Sequence, residues 1–203
     1  TQPPKKSSRG QKINKTVIHE YSEKVSLNVK TPNDLLGEET FLNKINFDIG
    51  IVVAYGKLIP KEILNLSKYG FINLHASLLP KYRGAAPIQR SLINREKETG
   101  ISFMKIIEKL DSGPVCQKYK IAINKNENYN SLLARLSSLG EDNVIEIIEK
   151  IIENKIKFVD QNEHEASYAK KIEKSDGKIN WNESAELIQA KVNALNPNPG
   201  GWF

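Results

Sequence analysis

Cysteine is nearly absent from this chain: Cys116 is the single one, which excludes an intramolecular disulfide framework and any multi-cysteine metal site. A reducing intracellular compartment is the simplest setting for such a sequence. No apolar run approaches the roughly 20 residues of a bilayer span, so no membrane partner is expected. Neither an initiator methionine nor a signal peptide precedes Thr1-Gln2-Pro3-Pro4, which predicts a processed chain or a piece of a longer one. Also lacking are HExxH, CxxC, a G-K-[ST] loop, a serine nucleophile elbow and an Asp/Glu dyad, so metal-dependent and phosphoryl-transfer chemistry find no support. What is there suffices for a globular fold. The 203 residues are 39% hydrophobic and 27% charged, and a chain of this length can bury about 70% of its unfolded surface. Its formal charge of +6 favours an anionic partner without naming one.

The basic excess is concentrated at the start, where TQPPKKSSRGQKINK carries Lys5, Lys6, Arg9, Lys12 and Lys15 with no acid. Its Pro, Ser and Gly content predicts a loop, either a solvated terminus or a phosphate-binding arm. Periodicity then predicts a helix from Thr16 to Lys24, a brief strand Val25 to Val29 and a helix from Asp34 to Ile45. The run DIGIVVAYG, Asp48 to Gly56, is apolar without alternation, as in a strand covered on both faces of a parallel sheet. Pro60 can open a short helix that Gly70 closes before the strand Phe71 to His75, which is β-α-β grammar. A helix is expected over Ala85 to Asn94, strands over ISFMKII and Val115 to Ile123, and a long amphipathic helix over Tyr129 to Asn154. A strand-like GKINW, a helix from Ser184 to Leu195 and a Pro-Gly-aromatic close complete the chain. The fold class is α/β with a mainly parallel sheet and an appended antiparallel stretch.

Chemistry concentrates around FINLH. His75 ends a buried strand, where ligands gather in open α/β sheets, and Asn73 two residues earlier projects from the same face. An amide can donate to a developing oxyanion, and imidazole can exchange a proton near neutral pH. The pair reads equally as a satisfied structural feature of the strand. Asp111 in LDSG is the best carboxylate to complete a set, against the rival readings of a turn-former or a helix cap. Lys81, Arg83 and Arg90 in the intervening loop region can meet phosphates or carboxylates. His19 and His164 read as surface residues.

The block INLHASLLPKYRGAAPIQRS, Ile72 to Ser91, followed by LDSG, resembles the folate-dependent formyltransferase signature. RGAAPIQRS is more specifically similar to the methionyl-tRNA formyltransferase branch, VVAYGKLIP matches its next characteristic strand and turn, and TQPPKKSSRGQK resembles its basic loop, with Pro4 and Lys5 where an Asp and Arg are usual. The resemblance implies a Rossmann-like formyltransferase N-terminal-domain fold whose first β-α unit is missing. It implies catalytic positions at Asn73, His75 and Asp111, contacts to the reduced folate from Ser77, Leu78, Leu79 and Pro80, and acceptor-stem contacts from Arg9 with Lys5, Lys6 and Lys12. The implied reaction is formyl transfer from 10-formyltetrahydrofolate, without a metal, to the methionine α-amine of initiator methionyl-tRNA, by a cytoplasmic monomer of bacterial or organellar-type translation. Residues 1–175 would be a partial catalytic domain, and 176–203 its end and the start of a linker to a C-terminal domain. A noncatalytic tRNA-binding fragment, or a related enzyme acting on an amino sugar or a purine-pathway amine, is the alternative.

Overall fold

The computed structural model describes residues 1–6 and 13–203. Two short strands, β1 (Lys5–Lys6) and β2 (Ile13–Asn14), pair antiparallel with Lys5 opposite Asn14. Helix α1 (Val17–Lys24) starts where Thr16 accepts the His19 N–H on its hydroxyl, satisfying one of the free donors of the first turn. Val25 to Val29 does not form the expected strand. Ser26 lies in the left-handed region at φ 57 and turns the chain away, and no described strand pairs with the segment, so β propensity alone does not hold it extended. A 3-10 turn at Leu36–Glu38 leads into α2 (Glu39–Ile45), which stops at Asn46 with φ 50.

The central sheet has the order β3 (Gly50–Val52), β4 (Phe71–His75), β5 (Glu98–Lys105), β6 (Val115–Ala122). Strand β3 is shorter than Asp48 to Gly56 because Ala54 at φ 48 and Gly56 at φ 70 bend the chain off the sheet. The crossover through α3 (Lys61–Leu64), which begins directly after Pro60, makes β3 and β4 parallel, with Gly50 opposite Phe71 and Val52 opposite Asn73. The remaining pairings correct the expectation of a mainly parallel sheet: β4 with β5 and β5 with β6 are both antiparallel. The segment from Ala76 through α4 (Pro87–Ile93) leaves and rejoins the sheet at the same end, with His75 opposite Ser102, so β5 must run back along β4. A loop from Ile106 to Pro114 then folds β6 onto β5 as a long hairpin.

One sheet face is covered by α5 (Tyr129–Ile152), whose start is fixed by reciprocal bonds between Asn128 and Ser131. Leu132, Leu136, Ile147 and Ile151 of this helix pack with Ile72, Ile101 and Phe103 of the sheet, with Ile88 and Leu92 of α4, and with Ala194 and Leu195 of α6 (Ala185–Leu195). Burying each large aliphatic here stabilises by about 1.5–3 kcal/mol. Because side chains alternate along a strand, Phe71, Asn73 and His75 project from the opposite face. Residues 159–169 form a strap, with a 3-10 turn at Glu163–Glu165 inside it. It is pinned by bridges from Val159 to Val115 and from Tyr168 to Arg83. GKINW contributes only a single bridge, Lys178 to Trp202, instead of a strand. No helix among the described residues is long and apolar enough to cross a membrane.

Candidate active site

The register of β4 decides where the polar side chains fall. Asn73 is half-buried opposite Met104, and His75, 6% exposed, stands one pleat further along the same face. The His75 Nε2 lies 2.8 Å from the Tyr82 carbonyl oxygen. A carbonyl only accepts, so Nε2 carries the hydrogen and donates it. In the neutral ring this leaves the Nδ1 lone pair directed at the Asp111 carboxylate, whose Oδ2 is 3.7 Å away. At 3.7 Å the two groups are within ion-pair reach and beyond a direct hydrogen bond.

Asp111 reaches His75 from the β5–β6 loop in an unusual conformation, with φ 44. Its Oδ2 also accepts the Gly84 N–H at 2.7 Å, and its side chain is 15% exposed. Gly84 itself has φ 115 and sits so close to the strap that a Cβ would approach the Ala169 carbonyl oxygen to 2.9 Å, which leaves glycine as the residue that fits. The loop backbone is held by Gln161 of the strap, whose Nε2 donates to the carbonyls of Asp111 at 2.9 Å and Gly113 at 2.7 Å. Gln161 Oε1 in turn accepts from Arg83 Nε and Nη2 at 3.0 and 2.8 Å.

The residues expected around the loop divide by burial. Ser77, Leu79 and Pro80 are buried, Ser77 donates its hydroxyl to the Lys81 carbonyl at 2.6 Å, and Leu78 alone of the four is partly exposed. Ser102 ties this turn to β5 by donating to the Ser77 carbonyl and accepting the Leu79 N–H. Lys118 adds a bond to the Leu79 carbonyl. Arg83 and Arg90 meet carboxylates of the chain itself. Arg83 is 0% exposed and pairs with Glu163, and Arg90 joins α4 to Asp176 and to the carbonyls of Lys170 and Lys171. A guanidinium out of water must be paired, and the strap supplies the partners. Lys81 alone of these cations stays exposed.

Lys5 and Lys6 are exposed on β1, with Lys5 donating to Gln2, whereas Arg9 and Lys12 lie outside the described residues. His19 rests 3.2 Å from Glu23, and His164 sits in an outer 3-10 turn, apart from Asn73, His75 and Asp111. No group of His, Cys, Asp and Glu among the described residues is arranged to hold a metal ion.

A groove of about 580 Å³ escaped the sequence reading. It is lined by Leu64, Phe71, Ile106 and Ile107 together with Lys61, Lys105, Lys109 and the polar Asn65, Ser67 and Glu108. Phe71 stands at the start of β4 and His75 at its end, and none of Asn73, His75, Asp111 or the Ser77–Pro80 turn lines the groove. The signal that could have found it is the apolar pair Ile106-Ile107, two residues ahead of LDSG, which continues past the end of β5.

The chain belongs to the formyl transferase family. Residues 1–148 match the formyl transferase family and residues 171–203 match the formyl transferase C-terminal domain. The chain is 54% identical over 206 residues to a methionyl-tRNA formyltransferase of Pelagibacter ubique (strain HTCC1062), covering 100% of this chain and 66% of that protein. It is 45% identical over 203 residues to the methionyl-tRNA formyltransferase of Dictyoglomus thermophilum (strain ATCC 35947 / DSM 3960 / H-6-12), covering 98% and 65%. The chain thus spans just under two thirds of the length of these curated relatives. In fold it is similar to the N-formyltransferase of Helicobacter canadensis in complex with folinic acid and dTDP-3-aminofucose, with a TM-score of 0.71, 24% identity, and 93% of this chain and 65% of that chain covered.

Proposed function

We propose that the protein takes part in formyl transfer from 10-formyltetrahydrofolate to the α-amine of methionine on initiator methionyl-tRNA, with Asn73, His75 and Asp111 as its catalytic residues. The observation that carries this reading is that Asn73 and His75 share one strand face and the loop residue Asp111 brings its carboxylate to 3.7 Å from His75. The turn of Ser77, Leu78, Leu79 and Pro80 would contact the reduced folate, mainly through its backbone because three of the four side chains are buried. The high identity to the methionyl-tRNA formyltransferases supports that acceptor over an amino sugar. Lys5, Lys6, Arg9 and Lys12 would add electrostatic attraction for the acceptor stem.

In this mechanism the amine lone pair forms a bond to the formyl carbon and the carbonyl electrons move onto oxygen. Asn73 donates to that oxyanion. The His75 Nε2–H is already engaged by Tyr82, so the ring acts at Nδ1, where the His75–Asp111 pair takes up the proton released by the amine. Collapse of the tetrahedral species breaks the bond to the folate nitrogen, which leaves with a proton. Single-turnover formyl transfer by Asn73→Ala is expected to be on the order of 100-fold slower, a barrier increase of roughly 3 kcal/mol, with little change in folate affinity. Equal rates in variant and parent would remove Asn73 from the mechanism, and a preference for a nucleotide-linked amino sugar over initiator methionyl-tRNA would reassign the acceptor.

A further inference from the structure

We infer that Gln161, oriented by the buried guanidinium of Arg83, is a positioning residue that holds Asp111 against His75, an inference that rests on the formyl-transfer reading for what Asp111 then does. Each polar atom of the Gln161 carboxamide has a partner. Its nitrogen donates to the Asp111 and Gly113 carbonyls and its oxygen accepts two bonds from Arg83. The orientation is therefore unique, since a flipped amide would set its oxygen against two carbonyls and its nitrogen against a cation. Asp111 needs such a holder. A non-glycine residue at φ 44 persists where its surroundings over-determine it, and relaxing it would swing the carboxylate away from Nδ1.

The holder is itself anchored. Arg83 presents its remaining fork to Glu163 at 2.9 and 3.1 Å, and Lys109, two residues before Asp111, reaches the same carboxylate at 2.7 Å. Backbone bonds from Arg83 to Ser167 and from Ala169 to Arg83, at 2.8 and 2.7 Å, fix the strap alongside. Residues 149–170, which include Gln161 and Glu163, lie between the two family matches, so the residue that places the carboxylate comes from a segment neither covers.

The test compares Gln161→Glu, Gln161→Ala and Asp111→Asn in the 203-residue chain, reading formyl transfer, donor KM, and the 15N resonances of the His75 ring. Gln161→Glu keeps an acceptor for Arg83 and removes both donations to the loop, and an unchanged circular dichroism spectrum checks that each variant folds. We expect kcat to fall by on the order of 10- to 100-fold with donor KM changed less than about threefold, as for a misplaced reacting group. The His75 ring resonances should move in the direction they take in Asp111→Asn. Parent kcat and unmoved resonances in both Gln161 variants, beside an inactive Asp111→Asn, would overturn the inference and leave the formyl-transfer reading standing. An Asp111→Asn protein with parent activity would overturn that reading instead. The resonances alone would then decide on Gln161, movement supporting the positioning role and no movement ending it.

Discussion

Arg83 carries a full charge without solvent contact, and its fork is accommodated by the carbonyl of Gln161 and the carboxylate of Glu163. The converse effect falls on Glu163, whose carboxyl is pulled down to about 2 by hydrogen bonds from Arg83 first and Lys109 second. A carboxylate whose folded value lies below its ordinary 4.5 stabilises the fold above that ordinary value and loses the contribution as pH falls toward 2. Glu163→Gln should therefore show a shallower loss of thermal stability between pH 4.5 and 2 than the parent, measured by acid titration of the melting temperature. The exposure of Glu163 keeps this effect modest. Asn73 and His75 were legible in the sequence because a two-residue spacing on a strand fixes a shared face. The setting of Arg83 was not, because its partners lie 78 and 80 residues further along and nothing local distinguishes a buried strut from a ligand-facing cation.

At the scale of elements, α5 was readable almost to its ends because 24 residues of helical periodicity admit one interpretation. Strand direction was not readable. The continuous apolar run into β3 looks the same whether neighbouring strands run parallel or antiparallel, and the reversal at β5 is set by where α4 returns the chain to the sheet. GKINW misled for a related reason, since its hydrogen bonding depends on Trp202 far along the chain. The β5–β6 loop is the element on which the site turns, and Gly113 lets it lie against β5, where a Cβ would overlap the Lys105 carbonyl oxygen. Gly113→Ala is expected to destabilise the protein by about 1–3 kcal/mol through backbone displacement, measured by denaturant unfolding. The loop carries Asp111, so formyl transfer should fall along with stability.

Over the whole molecule burial is unevenly distributed. Of the described residues up to Pro60 only Ser22 is buried, whereas the stretch from Phe71 to Ile151 holds most of the core. Val17, Ile18, Leu27 and Val53 are all more than half exposed, at 80, 63, 60 and 57%. Local stability follows apolar contact, so amides of α1 and α2 should exchange with deuterium at least about tenfold faster than those of β4, β5 and α5, as peptide-resolved exchange would measure. Uniform protection along the chain would contradict this. The strap joins Asp111 to a residue 50 positions later and Arg83 to one 78 positions later. During synthesis the chain emerges from its N-terminal end, and the turn around Gly84 is exposed well before Gln161 and Ala169 exist to hold it. The bonds that fix the Asp111 loop and the turn around Gly84 therefore cannot be complete until residues 159–169 have emerged.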